Sequence, residues 1–315
     1  MKQNRVPSPV VPGGETKKVD EVLVTDIVGL YEQHLKIDIS EFFKGLEQID
    51  ILECCITGYR FYYPYNVAGD GLFYEKVQKA MEGNNDYYRT WGYDHQFAYN
   101  AIKKGESVLD IGCGSGNFLN RIKDKTDKVF GLEFNPVAIE QCKAAGLSVY
   151  ADSIQQHSDT HAGAYDVVCL FQVLEHIHEI KPFLDASLKV LKKNGRLIIG
   201  VPNNEPYVQG FHKYSTMNLP PHHMGLWNRQ AFEKIQSYYK IKIKEVGYEG
   251  KGRWTLNAYY RAKYWLNIKT MIHQHTFIEK LKMLLVAPLT VPLSIFKKVT
   301  KGINGAYIVI LFEKE

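Results

Sequence analysis

The sequence predicts an α/β protein built on a doubly wound, mostly parallel sheet, and three observations predict it. Five short β-rich runs follow one another through the middle of the chain: SVLDIG (107–112), KVFGLE (128–133), LSVYAD (147–152), YDVVCLF (165–171) and GRLIIGV (195–201). Helical patterns separate them. The first run opens into a glycine-rich turn, VLDIGCGSGNFL (108–119). Strands alternating with helices form βαβ units, and their sheet, buried on both faces, reads as continuous apolar runs.

Each linking element has its own signal. Between the second and third runs, Asn135 suits a helix cap, Pro136 the first helical position and Gly146 the exit. Between the fourth and fifth, Ile177, Ile180, Phe183, Leu184, Leu188 and Leu191 recur at helical spacing, and Asn194-Gly195 supplies a turn. Downstream come an amphipathic stretch, 228–239, and two further strand candidates, IKIKEVGYE (241–249) and AYIVILFEKE (306–315).

Composition bounds the rest. The chain has 315 residues, 45% hydrophobic and 23% charged, which fits one large or two modest domains and argues against extensive disorder. No apolar run reaches the ~18–20 residues that span a bilayer. The opening MKQNRVPSPVVPGGETKK has no sustained apolar core, so a secretory signal is not expected. Five cysteines, an odd number scattered over the chain, are no disulfide framework, and a cytoplasmic location is expected. Cys54-Cys55 lacks the spacing of a zinc knuckle. The expected organisation is a flexible tail (1–18), an aromatic cap segment (19–103), the α/β core (104–250), a basic apolar insertion (251–304) and a final core strand (305–315).

The insertion carries ten Lys or Arg and one acid between Lys251 and Lys301, a local balance of +9 in a chain of net +5. Its MLLVAPLTVPLSIF (283–296) is interrupted by Pro288 and Pro292. It reads as a lid over a substrate site or as a contact with an anionic membrane surface. Nucleic acid is not expected, because no recognisable module accompanies the charge.

The glycine-rich turn carries the chemistry. Gly112, Gly114 and Gly116, with Cys113 between, let backbone turn tightly against a ligand, and the N-terminus of the next helix favours an anionic group. About twenty residues on, Glu133 ends the second strand, where a carboxylate accepts hydrogen bonds from ribose hydroxyls. The loop is G-x-G-x-G, not the dinucleotide G-x-G-x-x-G. It is preceded by Asp110, which repels a pyrophosphate and suits an ammonium. Residues 105–201 thereby resemble the class I S-adenosylmethionine (SAM)-dependent methyltransferases, with VLDIGCGSG as first motif and GLEFNP as second. The resemblance implies SAM as cofactor and a seven-stranded sheet ending in a β-hairpin. It also implies that Asp152 and Ser153 lie near the adenine and that Phe134 packs on it. ITGYRFYYPYNVAGDGLFYEKVQ and DYYRTWGYDHQFA are similar to a bacterial subgroup associated with glycan pathways. In that subgroup an aromatic segment covers the cofactor, which implies Tyr88 and Trp91 at the methionine end.

In such a fold the acceptor meets SAM beyond strands four and five. The segment Phe171-Gln172-Val173-Leu174-Glu175-His176 lacks the signature of base-amine methyltransferases. Its Glu175-His176 resembles the E-x-x-E-H pattern that holds a divalent metal in quinone-biosynthesis and small-RNA 2′-O-methyltransferases. Here Gln172 replaces the first glutamate, a poorer Mg²⁺ ligand, and no metal is expected. LPPHHMGLW (219–227) supplies two histidines, and His223, ahead of His222, is the expected base for a hydroxyl. The expected activity is O-methylation of a small-molecule or glycan-type acceptor, in a lipid-linked form or free. Carbon or nitrogen acceptors, a non-catalytic SAM-binding protein and an NAD-dependent oxidoreductase are the alternatives.

Overall fold

The structure is a computed structural model and describes residues 6–81, 90–205, 215–249 and 305–315. Tyr88 and the insertion 251–304 lie outside the described residues.

The chain begins with a segment that forms a sheet of its own. Strands β1 (Thr16–Leu23), β2 (Gln48–Cys54) and β3 (Arg60–Tyr63) pair antiparallel, with helix α1 (Val24–Leu35) between the first two and α2 (Gly71–Met81) after the third. Helix α3 (Tyr93–Ala101) leads into the core. There the expected alternation is found: β4 (Val108–Ile111), α4 (Asn117–Ile122), β5 (Val129–Leu132), α5 (Pro136–Ala144), β6 (Ser148–Tyr150), α6 (Ile154–Thr160), β7 (Tyr165–Phe171), α7 (Ile180–Lys189) and β8 (Leu191–Pro202). A two-residue strand β9 (Gly225–Leu226), helix α8 (Arg229–Tyr239), β10 (Ile241–Tyr248) and β11 (Tyr307–Lys314) complete it.

The central sheet has seven strands in the order β10-β11-β8-β7-β4-β5-β6. Strands β4 to β8 run parallel, and β11 inserts antiparallel between β8 and β10. The expected closing hairpin is therefore present, with the insertion connecting its two strands. Local chemistry sets the element ends. Asn135 Oδ1 accepts from Val137 N at 2.9 Å, capping α5 with Pro136 at its first position. Asn228 caps α8 in the same way, accepting from Ala231 N at 2.8 Å. The apolar stripe of α7 buries Ile180, Phe183, Leu184 and Leu188 against the sheet.

Two expectations about organisation are corrected. The segment expected as a flexible tail (1–18) is packed from Val6 onward: Val10 and Val11 are buried in the main core with Trp227 and Tyr239, and β1 starts at Thr16. Its prolines and glycines fold a turn closed by Ser8 N donating to Gly14 O at 2.8 Å. The boundary between cap (19–103) and core (104–250) is also crossed. Strand β9, from the core segment, pairs with β3 through Arg60↔Leu226 and Phe61↔Gly225, making the fourth strand of the cap sheet. Residues 215–227 thus belong to the cap's hydrophobic cluster as much as to the core.

The hydroxyl of Tyr239 on α8 donates to Val10 O at 2.9 Å inside this core. Replacing Tyr239 with Phe leaves a buried carbonyl unpaired, at a cost of roughly 1–3 kcal/mol. Urea unfolding is expected to show that loss, with earlier proteolytic cleavage within residues 6–15 than in wild type.

Candidate active site

A cavity of about 1240 Å³ opens at the C-terminal ends of β4, β5 and β7, roofed by α2 and by the loop that carries His222 and His223. The position follows from the topology: in an open α/β sheet the crevice lies outside the carboxyl ends, where strand order reverses around β4.

The glycine loop forms one wall. Gly112 and Gly116 both adopt positive φ, +75° and +76°. A Cβ at Gly112 would stand 2.6 Å from Val173 Cγ2, and one at Gly116 would stand 2.4 Å from Leu147 Cδ1. Both positions therefore require glycine twice over, by backbone conformation and by space. The helix that the loop feeds, α4, is only six residues long. The N–H groups of Gly112 and Cys113 donate to Leu132 O, and that of Gly116 to Cys113 O, so the loop is pinned to β5 and to itself. Glu133 holds this loop in shape: Oε2 accepts from Gly114 N at 2.8 Å, and Oε1 from Phe134 N and Asn135 N at 2.8 and 2.9 Å. Three of a carboxylate's roughly four acceptor sites are thus taken by backbone, leaving one for a ribose hydroxyl. Glu133 is a scaffold of the loop as well as a ligand group, a double use that strand spacing alone does not reveal.

Asp110, at the end of β4, is buried, and its Oδ1 has no hydrogen-bond partner among the described residues. Burial pushes its pKa well above the carboxylate range, and the charges of Glu133 and Asp94 push it further. An orphaned buried carboxylate on the cavity wall fits a cationic ligand group, and the ammonium of SAM is one. Cys113 and Phe171 line the same wall, and Phe171 packs edge-on against Phe118 with ring centroids 4.9 Å apart. Trp91 stacks on Phe118 and lines the cavity. At the adenine end, Phe134 is 70% exposed, a ring face with no protein cover. Asp152 and Ser153 lie on the cavity rim. Ser153 has a structural task there, because its Oγ caps α6 by accepting from Gln156 N at 3.2 Å. The orphaned Asp110 carboxylate and the glycine loop held by Glu133 therefore fit the ammonium and ribose of SAM.

The opposite wall gathers Glu175, His176, His222 and His223. Glu175 and His176 sit on a 3₁₀ turn after β7, and Met224 N donates to Glu175 O at 2.8 Å, sewing the histidine loop to that turn. The ring centroids of the three imidazoles are 4.6–4.8 Å apart. The aromatic cap holds this loop through hydroxyls. Tyr31 donates to Leu219 O at 3.0 Å, Tyr62 to Asn218 O at 3.1 Å and Tyr74 to His222 O at 3.2 Å. Burial lowers the His176 pKa to about 4 and that of His222 to about 3. It drives His223 well below the ordinary range, with its two histidine neighbours adding to the effect. Burial raises Glu175 to about 8. All three imidazoles are neutral at pH 7.

Gln172 lies at the junction of the two walls with φ +56°, a left-handed conformation uncommon for a side chain of its size. Its Nε2 donates to Asp94 Oδ2 at 3.4 Å, and its backbone N donates to Gly200 O at 2.8 Å. Sequence reasoning missed Asp94 and Tyr74, which line the cavity from α3 and α2. Both stand in the quoted aromatic segments, where nothing local singles them out, and the packing of the cap onto the core brings them to the site.

Comparison with known proteins agrees with this geometry. Residues 84–237 match the family described as a methyltransferase domain. The chain is 30% identical over 108 residues to the ubiquinone biosynthesis O-methyltransferase of Sodalis glossinidius, covering 32% of this chain and 43% of that protein. It is 31% identical over 124 residues to the enzyme of the same name from Psychrobacter arcticus, covering 36% and 47%. The match thus spans less than half the length of these relatives. Among solved structures, the YcgJ protein of Bacillus subtilis is similar over 71% of this chain and 98% of its own, with 11% identity and a TM-score of 0.48.

Asp110 yields a pH prediction. Without a cationic partner its raised pKa favours the protonated form, whereas an ammonium favours the ionised one. SAM binding is therefore expected to release a proton and to tighten as pH rises toward the Asp110 pKa. Calorimetry in buffers of different ionisation enthalpy is expected to show this release for wild type. Asp110→Asn is expected to abolish it and weaken binding by roughly 10-fold or more, an ion-paired hydrogen bond being worth about 1.5–3 kcal/mol. Residues 84–237 thus carry a methyltransferase domain, with the seven-stranded sheet and glycine loop expected of the class I SAM-dependent methyltransferases.

Proposed function

We propose that this chain transfers the methyl group of SAM to a hydroxyl oxygen of a small-molecule or glycan-type acceptor. The observation that carries the reading is the pairing, in one cavity, of the SAM wall with a cluster of neutral imidazoles. When bound, SAM supplies a methyl group already activated by its sulfonium. The remaining tasks fall to the chain: to seat an acceptor oxygen in line, exclude water and take up the hydroxyl proton.

His223 is the candidate for the proton. Its Nδ1 faces Asn218 Oδ1 at 3.0 Å, and an amide oxygen only accepts, so Nδ1 carries the hydrogen and Nε2 the lone pair. Nε2 lies 3.9 Å from Glu175 Oε1. As an acceptor oxygen gains its methyl carbon, its proton passes to Nε2, and the imidazolium that forms draws Glu175 toward its ionised form. Burial makes His223 a weak base but keeps its lone pair available at neutral pH. Acceptor space lies between α2 and the segment after β7. There Glu75 and Glu179 offer carboxylates to hydroxyls, and Tyr74 and Met81 offer apolar surface to a ring. This mixture supports a hydroxylated, glycan-type ligand. The ubiquinone-biosynthesis relatives are named as O-methyltransferases, which supports oxygen as the acceptor atom. No helix among the described residues is long and apolar enough to cross a membrane.

The test is release of S-adenosylhomocysteine (SAH) from SAM against a panel of hydroxylated acceptors that includes cell-surface glycan precursors. His223→Ala is expected to lower turnover by roughly 10²-fold or more, with SAM affinity near wild type. Unaltered turnover in that variant would remove His223 from the role, and no SAH release with any acceptor would remove the reading.

A further inference from the structure

We propose that His157 and Tyr165 are positioning residues for Asp152: a relay of hydrogen bonds from Tyr165 to His157 to Asp152 sets the preference of the cofactor site for a 6-amino purine. The proposal rests on SAM as the cofactor and not on the identity of the acceptor.

Local structure places the acid and the imidazole little more than one helical turn apart. Asp152 follows β6 and stands on the cavity rim, next to Ser153, which caps α6. His157 N donates to Ser153 O at 2.9 Å, which puts His157 one turn into that helix. Its side chain is fully buried. An apolar side chain would fill the same space with no polar atoms to satisfy, so an imidazole here carries a desolvation cost that packing alone does not require.

The ring is held in one plane and one orientation. His161, which closes α6, stacks on it with centroids 3.8 Å apart and planes 6° from parallel. Tyr165, the first residue of β7, brings its hydroxyl 2.7 Å from His157 Nε2. The other nitrogen is thereby aimed at the acid. His157 Nδ1 lies 3.7 Å from Asp152 Oδ2 and has no hydrogen-bond partner among the described residues.

Charge selects the tautomer. With the hydrogen on Nε2, the Nδ1 lone pair would face a carboxylate, which repels it. With the hydrogen on Nδ1, the N–H faces the carboxylate and Nε2 accepts from the Tyr165 hydroxyl. Burial raises the pKa of the Tyr165 phenol, so that hydrogen is always there to give. Burial, and then the neighbouring His161, lower the His157 pKa, so the ring is neutral at pH 7. The relay therefore moves no charge; it orients one N–H. The Asp152 side chain is half exposed, and a turn of that side chain closes 3.7 Å to hydrogen-bond length.

The selectivity follows from donor and acceptor types. Asp152 shares the rim with Phe134, whose ring has no protein cover. A purine at this end of the cavity meets an ionised carboxylate, which only accepts hydrogen bonds. The 6-amino group of adenine donates, whereas the 6-oxo group of hypoxanthine accepts and is repelled. With one oxygen of Asp152 tied to His157, the other is a fixed acceptor. Without the tie, the ligand itself has to order a half-exposed side chain.

The experiment measures binding of SAH and of its 6-oxo analogue, S-inosylhomocysteine, to the full chain by calorimetry, with near-ultraviolet circular dichroism as the check of folding. Wild type is expected to favour SAH by roughly 10–100-fold, the range of one hydrogen bond to a charged group. His157→Phe keeps a ring to stack on His161. It is expected to reduce the ratio by roughly 3–10-fold, the range of one neutral hydrogen bond, by weakening SAH and sparing the analogue. Tyr165→Phe is expected to act in the same direction. His157→Asn, whose amide places an N–H close to where Nδ1 stood, is expected to give a ratio nearer to that of wild type. A ratio near one in wild type, an unchanged ratio in folded His157→Phe, or an equal loss of both ligands overturns the proposal. Tyr165→Phe carries the same reading should His157→Phe not fold. SAH binding without preference removes this inference alone and leaves the methyltransferase reading standing, whereas failure of folded wild type to bind either ligand removes both.

Discussion

Desolvation of polar groups at the C-terminal ends of β4 and β7 is the constraint on which the site depends. Asp110 ends β4 deep in the cavity wall, and Glu175 follows β7 on the other side; both are almost fully buried and both have carboxylate oxygens without hydrogen-bond partners among the described residues. A buried, unpaired carboxylate is among the most costly arrangements in a protein interior, so it takes up a proton or acquires a cation. Their raised pKa values are the first response. A cationic cofactor at Asp110 supplies the second.

The aromatic cap has a clear physical task in this arrangement. The loop 215–224 follows the long strand β8, and its regular structure is a single 3₁₀ turn, Thr216–Asn218. Its shape comes from outside, through the hydroxyls of Tyr31, Tyr62 and Tyr74, contact of His34 with Thr216 at 2.7 Å, and β9 pairing with β3. Each tyrosine buries a ring in the cap cluster while its hydroxyl reaches a loop carbonyl, which satisfies backbone that water cannot reach. The aromatic character of the cap segment is therefore a way to build a polar loop inside an apolar shell. The cap and the active-site loop form one structural unit.

How much of this was legible in the sequence follows the range of the forces involved. The strands of the core, the α5 cap at Asn135-Pro136, the glycine turn and the final hairpin are written in local periodicity and in residues with fixed backbone roles. Asp110 and Glu133 were found because a strand end and a spacing place them. What stayed hidden is non-local. Val10 and Val11 look like tail residues among prolines and glycines, yet they complete a core that also holds Trp227 and residues of α8, more than 200 positions away. Asp94 and Tyr74 sit within quoted aromatic segments, but no local pattern marks them as site residues. The histidines of LPPHHMGLW were visible as residue types, but the anchoring of each Nδ1 depends on carbonyls and amides that only the folded loop brings near.

The two walls also relate to one another through charge. The field of Asp94 is felt at Asp110 on the cofactor wall and at Glu175 on the imidazole wall. On the proposed reading, transfer removes a positive charge from the sulfur position and delivers a proton to the imidazole side. The net positive charge in the cavity is unchanged; only its location moves, from one acid toward another, past Asp94. Moving charge within a fixed set of buried acids needs little solvent reorganisation, the condition under which preorganised groups are most effective. Gln172, held in its left-handed conformation between the walls and tied to Asp94, fixes the distance over which that shift occurs. The pairing of its N–H with Gly200 O on β8 holds this left-handed residue in place between the two walls.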